Sequence, residues 1–146
     1  MIRVLVTDAA IDVAGELDAL ERAGGGAVAS FTGLVREDSG VEELFLEHYP
    51  DATEKALRDL AAEAMQRWSL EAATVIHRVG AMKPGERIVF VGTAAAHRAA
   101  ALEACAFLID RLKTDAPFWK RETRGKDARW VGERDSDRDA ADRWKR

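Results

Sequence analysis

Hydrophobic residues alternate in some segments of the chain and recur every three or four positions in others, which predicts interleaved strands and helices. Alternating segments rich in β-branched or aromatic residues predict strands at 2–7, 27–36, 42–49, 74–79, 87–93, 118–124 and 128–131. Helical spacing predicts three helices. The first covers 13–23. The second begins at Asp51 and Glu54, which match a capping box, and ends at residue 68, and the third runs from just after Arg98 to about residue 112.

The turn between two of these strands indicates how they pair. Segments 74–79 and 87–93 flank a short turn that carries Pro84 and Gly85, the residue types that tight turns favour. This favours antiparallel pairing and an α+β domain rather than a doubly wound parallel sheet. The three glycines at 24–26 follow a helix and precede no Gly-Lys-Ser/Thr, so they predict a helix stop rather than a phosphate loop.

Composition narrows the class of protein. The 146 residues fit one domain, which we place at 1–132, followed by a charged tail at 133–146. The tail is expected to be a flexible end or a short helix that folds against a partner. The formal net charge of −4 argues against a general nucleic-acid binder. A single cysteine, Cys105, suits a reducing compartment, and neither a signal peptide nor an apolar run of membrane-spanning length is evident. We therefore expect a cytoplasmic protein.

The segment 113–122 is the first candidate for chemistry. Lys113 and Lys120 stand on either side of a bend at Pro117, so folding could bring both ammonium groups together. Ordinary surface lysines in a solvated loop are the alternative. The stretch 113–134 carries seven basic residues against four acidic ones, although the whole chain is acidic. This local excess favours a small anionic ligand or an acidic partner.

A second candidate is His97-Arg98, where a predicted strand ends and a helix begins. A helix N-terminus favours anions, and an arginine there can bind a phosphate through two hydrogen bonds. Arg36 ends another strand and is a weaker candidate of the same kind. His48 and His77 lie inside predicted strands and are interpreted as structural residues.

The usual cofactor and metal motifs are absent from the sequence, which has no Walker A, Rossmann, GxSxG, HExxH or CxxC pattern. The three histidines and one cysteine are too scattered for a metal site. We therefore predict no cofactor and no metal, and any catalysis would depend on lysine, arginine and histidine.

Several segments taken together resemble one known family. FTGLVR, LEHYPDATEKAL, VIHRVGAMKPGERIVFVGTAAAHR, LKTDAPFWKRE and RWVGERDSD occur in order at 31–36, 46–57, 75–98, 112–122 and 129–137. They resemble the catalytic (large) subunit of molybdopterin synthase over nearly the whole chain.

This resemblance implies an α/β hammerhead fold with an antiparallel sheet and flanking helices. It also implies a homodimer in which each subunit binds a small ubiquitin-like sulfur carrier, giving a heterotetramer. In such an enzyme the carrier's C-terminal Gly-Gly thiocarboxylate delivers sulfur to cyclic pyranopterin monophosphate, and two transfers form the dithiolene of molybdopterin.

Position by position, the resemblance implies catalytic roles for Lys113 and Lys120. It also implies a substrate-binding set that contains both lysines together with Leu34, Val35, Arg36, His97, Arg98, Arg121, Glu122 and Arg134, the last reaching in from a neighbouring subunit. The chain departs from some relatives at 37–40 and 51–52, and the change at 37–40 concerns how the mouth of the pocket closes rather than which chemistry occurs. Two alternatives remain open: a non-catalytic module that binds an acidic or ubiquitin-like partner, and a phosphate-ester enzyme of another kind.

Overall fold

The computed structural model describes residues 1–37, 40–125, 127–131, 135–142 and 144–145, which form eight strands and four helices. The strands are β1 Ile2–Thr7, β2 Ala27–Leu34, β3 Glu43–His48, β4 Ala72–Arg78, β5 Gly80–Met82, β6 Arg87–Ala95, β7 Phe118–Arg124 and β8 Asp127–Val131. The helices are α1 Val13–Arg22, α2 Ala52–Trp68, α3 Arg98–Asp115 and α4 Asp135–Asp142. Over the described ranges, no helix is long and apolar enough to cross a membrane.

The strands form two four-stranded sheets, ordered β1-β4-β6-β2 and β5-β3-β7-β8, so the α+β class is confirmed. The predicted antiparallel pairing of 74–79 with 87–93 is also confirmed, with Val75 opposite Val91. Strand β1, however, runs parallel to β4, so the first sheet is not purely antiparallel as the resemblance implied. A long excursion through other elements connects these two strands, and such a crossover permits parallel pairing where a hairpin would not.

Both faces of the first sheet are covered. Nearly every residue of β4 and β6 is buried, which requires helices on both sides. On one face, Val91 packs with Phe107 in a cluster that includes residues of α2 and α3. On the other, Ile76 and Phe90 pack with Leu20 of α1. Each large apolar side chain buried in this way contributes about 1.5–3 kcal/mol to stability.

The second sheet has its own small core, formed by Val35, Leu44, Leu46 and Met82. Leu44 and Leu46 therefore lie on the inward face of β3. Strand β5 is not predicted from the sequence, because a segment of three residues is too short to show an alternating pattern.

The three glycines at 24–26 act as the predicted helix stop. Helix α1 ends just before them, and Gly25 has a φ of +94°. A Cβ atom at Gly25 would lie 2.5 Å from the carbonyl oxygen of Ala95, so glycine is needed for the approach of two backbones as well as for the dihedral angle.

Two predicted helix ends are wrong. Asp51 precedes α2 with a φ of +68°, and its side chain makes no capping hydrogen bond, so the Asp51–Glu54 capping box does not form. Helix α3 continues three residues beyond the predicted end at 112, to Asp115. Lys113 therefore lies in the last helical turn rather than after the helix.

The charged tail was expected to be a flexible end or a short helix that folds against a partner. Its described part contains α4, and the ring of Trp144 packs against Trp68 and Phe107 of the same chain at 5.8 and 5.7 Å. The Trp144 indole Nε1 donates to Asp110 Oδ2 at 2.6 Å. This part of the tail thus folds against its own chain, while residues 133, 134, 143 and 146 of the tail lie outside the described residues.

Candidate active site

The predicted site residues lie at two opposite ends of strand β6 and helix α3. Helix α3 follows β6 directly and packs on the face of the first sheet, running back in the opposite direction. Its length is about 26 Å at about 1.5 Å per residue. Because β2 is antiparallel to β6, its last residue Leu34 lies opposite Arg87 at the start of β6. The end of β2 and the C-terminal end of α3 therefore share one end of the molecule, and the first turn of α3 lies at the other.

We call the first group of residues the lysine end, consisting of Arg36, His77, Lys113, Phe118 and Lys120. We call His97 and Arg98 the helix start.

Lys113 is exposed in the last turn of α3. The carbonyl groups at a helix C-terminus carry partial negative charge, which favours a cation at this position. The ammonium group is near enough to His77 to lower the pKa of that imidazole. Lys113 thus lies exposed at the lysine end, near the buried ring of His77.

That pair is His77 and Phe118, whose rings stack with centroids 4.0 Å apart and planes inclined by 26°. His77 is only 5% exposed, and its Nδ1 lies 2.8 Å from the carbonyl oxygen of Arg78. A carbonyl oxygen only accepts, so Nδ1 donates and Nε2 carries the lone pair in the neutral ring. The prediction that His77 is a hydrogen-bonded structural residue is confirmed.

Burial is the main cause of the low pKa of His77, which falls to about 4. The hydrogen bond to Arg78 opposes this shift, and the positive charge of Lys113 adds to it. The imidazole is consequently neutral at pH 7.

Lys120 approaches the same aromatic pair from β7. It lies two residues after Phe118 on the same face of the strand, directly opposite Leu46 of β3, and it is half-buried. Each lysine is thus related to one ring of the His77–Phe118 stack. The charge of Lys113 acts on His77. Lys120 lies in the same strand as Phe118 and on the same face. The proximity of the two ammonium groups stays a prediction.

Arg121 points to the opposite face of β7. Its guanidinium carbon lies 4.9 Å from the ring centroid of Phe45 and 5.7 Å from that of Trp130, and its Nε is buried without a hydrogen-bond partner. Glu122 returns to the face of Lys120 and forms an ion pair with Arg124 at 3.2 Å. Within one chain, the Arg121 side chain does not join the two lysines.

The predicted residues of 34–36 follow β2 to the lysine end. Leu34 is 55% exposed, whereas Val35 is buried in the core of the second sheet. The Val35 backbone exchanges two hydrogen bonds of 2.8 Å with the turn before β6, through Glu86 O and Gly85 N. This anchored backbone places exposed Arg36 at the end of the first sheet.

His97 is the residue that precedes α3 and Arg98 is its first residue, and both are exposed. The His97 side chain makes no capping hydrogen bond, and the first backbone N–H groups of a helix have no partner within the helix. At about 1.5 Å per residue, His97 lies about 24 Å along the helix from Lys113. A single chain therefore does not bring the helix start to the lysine end.

The remaining predictions concern Arg134 and metal binding. Arg134 lies outside the described residues. In the part of the chain that the structure describes, no group of three or more His, Cys, Asp or Glu residues could hold a metal ion. Burial raises the pKa of the Cys105 thiol to about 11, which agrees with a packing role for this cysteine.

Two residues of this region were not predicted to contribute to a site. His77 was interpreted only as a strand residue, although its position three residues before Gly80 was a signal that it lies near the end of its strand. Thr53 is completely buried, and its hydroxyl donates to the carbonyl oxygen of Pro117 at 2.9 Å. No sequence pattern indicates a contact between residues 64 positions apart.

Comparison with known proteins places this arrangement in a family. The profile of the family described as "MoaE protein" matches residues 6–115. The chain is 52% identical over 146 residues to the molybdopterin synthase catalytic subunit of Pseudomonas aeruginosa, covering 97% of each chain. It is 54% identical over 127 residues to that of Escherichia coli, covering 85% of each.

Solved structures of similar proteins indicate the same family as the sequence comparisons. The structure of a molybdopterin biosynthesis MoaE protein from Burkholderia ambifaria superimposes with a TM-score of 0.87 at 43% identity, covering 99% of this chain and 98% of the other. A molybdopterin synthase structure from Staphylococcus aureus gives a TM-score of 0.79 at 29% identity, covering 88% and 96%. This chain therefore belongs to the MoaE family, the family of molybdopterin synthase catalytic subunits.

Proposed function

We propose that this chain is the catalytic subunit of a molybdopterin synthase and that Lys113 and Lys120 carry its sulfur transfer. The donor would be the thiocarboxylated C-terminus of a small ubiquitin-like carrier, and the acceptor cyclic pyranopterin monophosphate. The observation that carries the proposal is that both lysines lie near one aromatic pair: the charge of Lys113 acts on His77, and Lys120 follows Phe118 by two residues on the same face of β7.

The charges of the two reactants explain why lysines are needed. A thiocarboxylate and a cyclic phosphate are both anions, and their approach is opposed unless cations lie between them. Lys113 is more exposed and stands at a helix C-terminus, so we assign it to the thiocarboxylate and the reacting carbon. Lys120 is half-buried and assists substrate binding and proton transfer. Neutral His77 adds no competing positive charge beneath them.

Dimer formation would complete the site. Arg98 and His97 form an exposed anion-binding position, but they lie at the far end of α3 from the lysines of their own chain. A second copy can bring its helix start to the lysine end of the first, which would supply a phosphate site with Arg36. This geometry supports the homodimer, and the name "catalytic subunit" of the relatives supports a separate carrier subunit in a heterotetramer.

We further propose that residues 1–132 form the catalytic unit and that 133–146 are an appendage, with Arg134 and Arg121 serving substrate binding at the dimer contact. Leu34, Val35 and Glu122 would line the pocket beside Arg36 and Lys120. A cytoplasmic location fits the single, buried cysteine.

The decisive test uses purified Lys113→Ala protein with thiocarboxylated carrier and precursor, with product detected by mass. We expect no dithiolene product, although the variant remains folded and still binds the carrier, because the anionic reactants are no longer neutralised. Lys55→Ala is the matched control, since Lys55 is an exposed lysine that forms an ion pair with Asp59 on the same helix. Near-normal turnover by Lys113→Ala would refute the lysine assignment. Carrier binding by the unmodified protein without any conversion would favour the non-catalytic binding module instead.

A further inference from the structure

Thr53 connects three segments at the lysine end. It is the second residue of α2, and its side chain is completely buried. Its Oγ1 accepts a hydrogen bond from the backbone N–H of Tyr49 at 3.0 Å and donates one to the carbonyl oxygen of Pro117 at 2.9 Å. One hydroxyl therefore joins the end of β3, the start of α2 and the bend between α3 and β7.

The bend at Pro117 determines where the two lysines lie relative to each other. Lys113 precedes it by four residues in α3, and Lys120 follows it by three in β7. Proline has no N–H, so its backbone can be held from outside the bend only through its carbonyl group. The hydrogen bond from Thr53 uses that carbonyl group.

The loop before α2 has an unusual conformation that presents this hydroxyl. Asp51 has a φ of +68°, which is unfavourable for a residue other than glycine, and its side chain makes no capping bond in return. The Thr53 N–H donates to Tyr49 O at 2.9 Å, so the backbone and side chain of Thr53 both bind Tyr49. Strained backbone that the surroundings maintain is a reason to look for a functional role.

We propose that Thr53 is a positioning residue for sulfur transfer, whose hydroxyl holds the Pro117 bend and thereby the spacing of Lys113 and Lys120. Thr53 itself contacts neither reactant. This inference rests on the proposed function of the lysines and extends it to a residue in a different element.

The test compares Thr53→Val, which removes the hydroxyl, with Thr53→Ser, which retains it. Thr93→Val is the matched control: Thr93 is also completely buried and donates to a helix carbonyl, Ala101 O, at 2.7 Å, but near the start of α3. Single-turnover rates and KM for the precursor are measured well below the melting temperature of every variant. If Thr53→Val does not fold, Thr53→Ala replaces it, because alanine places no methyl group against the Pro117 carbonyl.

We expect Thr53→Val to lower kcat by about 10- to 100-fold, the effect of displacing a reacting group by roughly 1 Å. The kcat of Thr53→Ser should stay within about threefold of that of the unmodified protein. The same is expected of Thr93→Val: this variant loses stability, but the Pro117 bend and the two lysines keep their positions. Equal rates for Thr53→Val and Thr93→Val would overturn the proposal, as would a failure of serine to restore the rate.

A second measurement separates this inference from the proposed function. The side-chain Cε resonances of Lys113 and Lys120 are followed by NMR in protein labelled at lysine. Both should shift in Thr53→Val and remain in place in Thr93→Val. If the unmodified protein transfers no sulfur, the proposed function fails, and the lysine resonances still decide whether Thr53 positions the pair. Unchanged resonances in Thr53→Val would refute the positioning role.

Discussion

Lowering the pH from 8 to 5 should destabilise this protein through His77, by an amount that the structure allows us to calculate. The imidazole is buried between β4 and Phe118 and has a pKa of about 4, mainly because burial disfavours the charged ring. In the unfolded chain the same group has a pKa of about 6.5. Between these two values the unfolded state binds a proton that the folded state does not.

The change in the free energy of unfolding with pH follows from the difference between the two pKa values of His77. Above pH 6.5 the ring is neutral in both states, and His77 contributes no pH dependence. As the pH falls below 6.5 the unfolded state is stabilised by protonation, and at pH 5 the free energy of unfolding is lower by about 2 kcal/mol on account of His77. Below pH 4 the ring is protonated in both states, and the loss levels off at about 3 kcal/mol.

The assay is urea denaturation at pH 8, 7, 6 and 5 for the unmodified protein and for His77→Phe, which retains an aromatic ring against Phe118. Subtracting the two series removes the contribution of all other titrating groups. The protein concentration is held constant, because the stability of a dimer depends on it. A difference between the two proteins that does not change from pH 8 to pH 5 would refute the reasoning. So would a His77 imidazole that titrates near pH 6.5 in the folded protein by NMR.

Two further predictions concern the dimer and the tail. Mixing Lys113→Ala with Arg98→Ala and allowing the subunits to exchange should restore about a quarter of the normal activity. About half of the dimers are then mixed, and each mixed dimer has one of its two sites with both residues intact. No recovery would mean that the helix start and the lysines do not act across subunits. Trp144→Ala should lower the free energy of unfolding by about 2 kcal/mol in urea denaturation, through loss of its buried ring contacts. Trp130→Ala, which removes a ring that is 54% exposed, should cost less than about 1 kcal/mol, and equal losses would contradict the docking of Trp144.

The sequence by itself determined most of the elements. Alternation and helical periodicity depend on neighbours within a few positions, so β1, α1 and β7 lie close to where the pattern predicts them. The glycines at 24–26 follow the end of α1, and at Gly25 a Cβ atom would clash with the backbone of β6. The segments that resemble the catalytic subunits also identified the family, which the comparisons confirm.

Tertiary contacts decided what the local pattern could not. Asp51 and Glu54 match a capping box, yet Asp51 makes no capping hydrogen bond, and the side-chain hydrogen bonds of Thr53 join the start of α2 to Tyr49 and to Pro117, 64 positions away. The parallel pairing of β1 with β4 depends on a crossover through distant parts of the chain.

The site shows the same division. Lys113, Lys120 and Arg98 all stand out in the sequence as cations beside predicted breaks, and nothing local distinguishes their surroundings. Only the length and direction of α3 show that two of them share one end of the molecule and that Arg98 lies about 22 Å along the helix from Lys113. Residue types are thus a property of the sequence, whereas their distances depend on how a rigid helix is packed against a sheet, which is decided by the whole core.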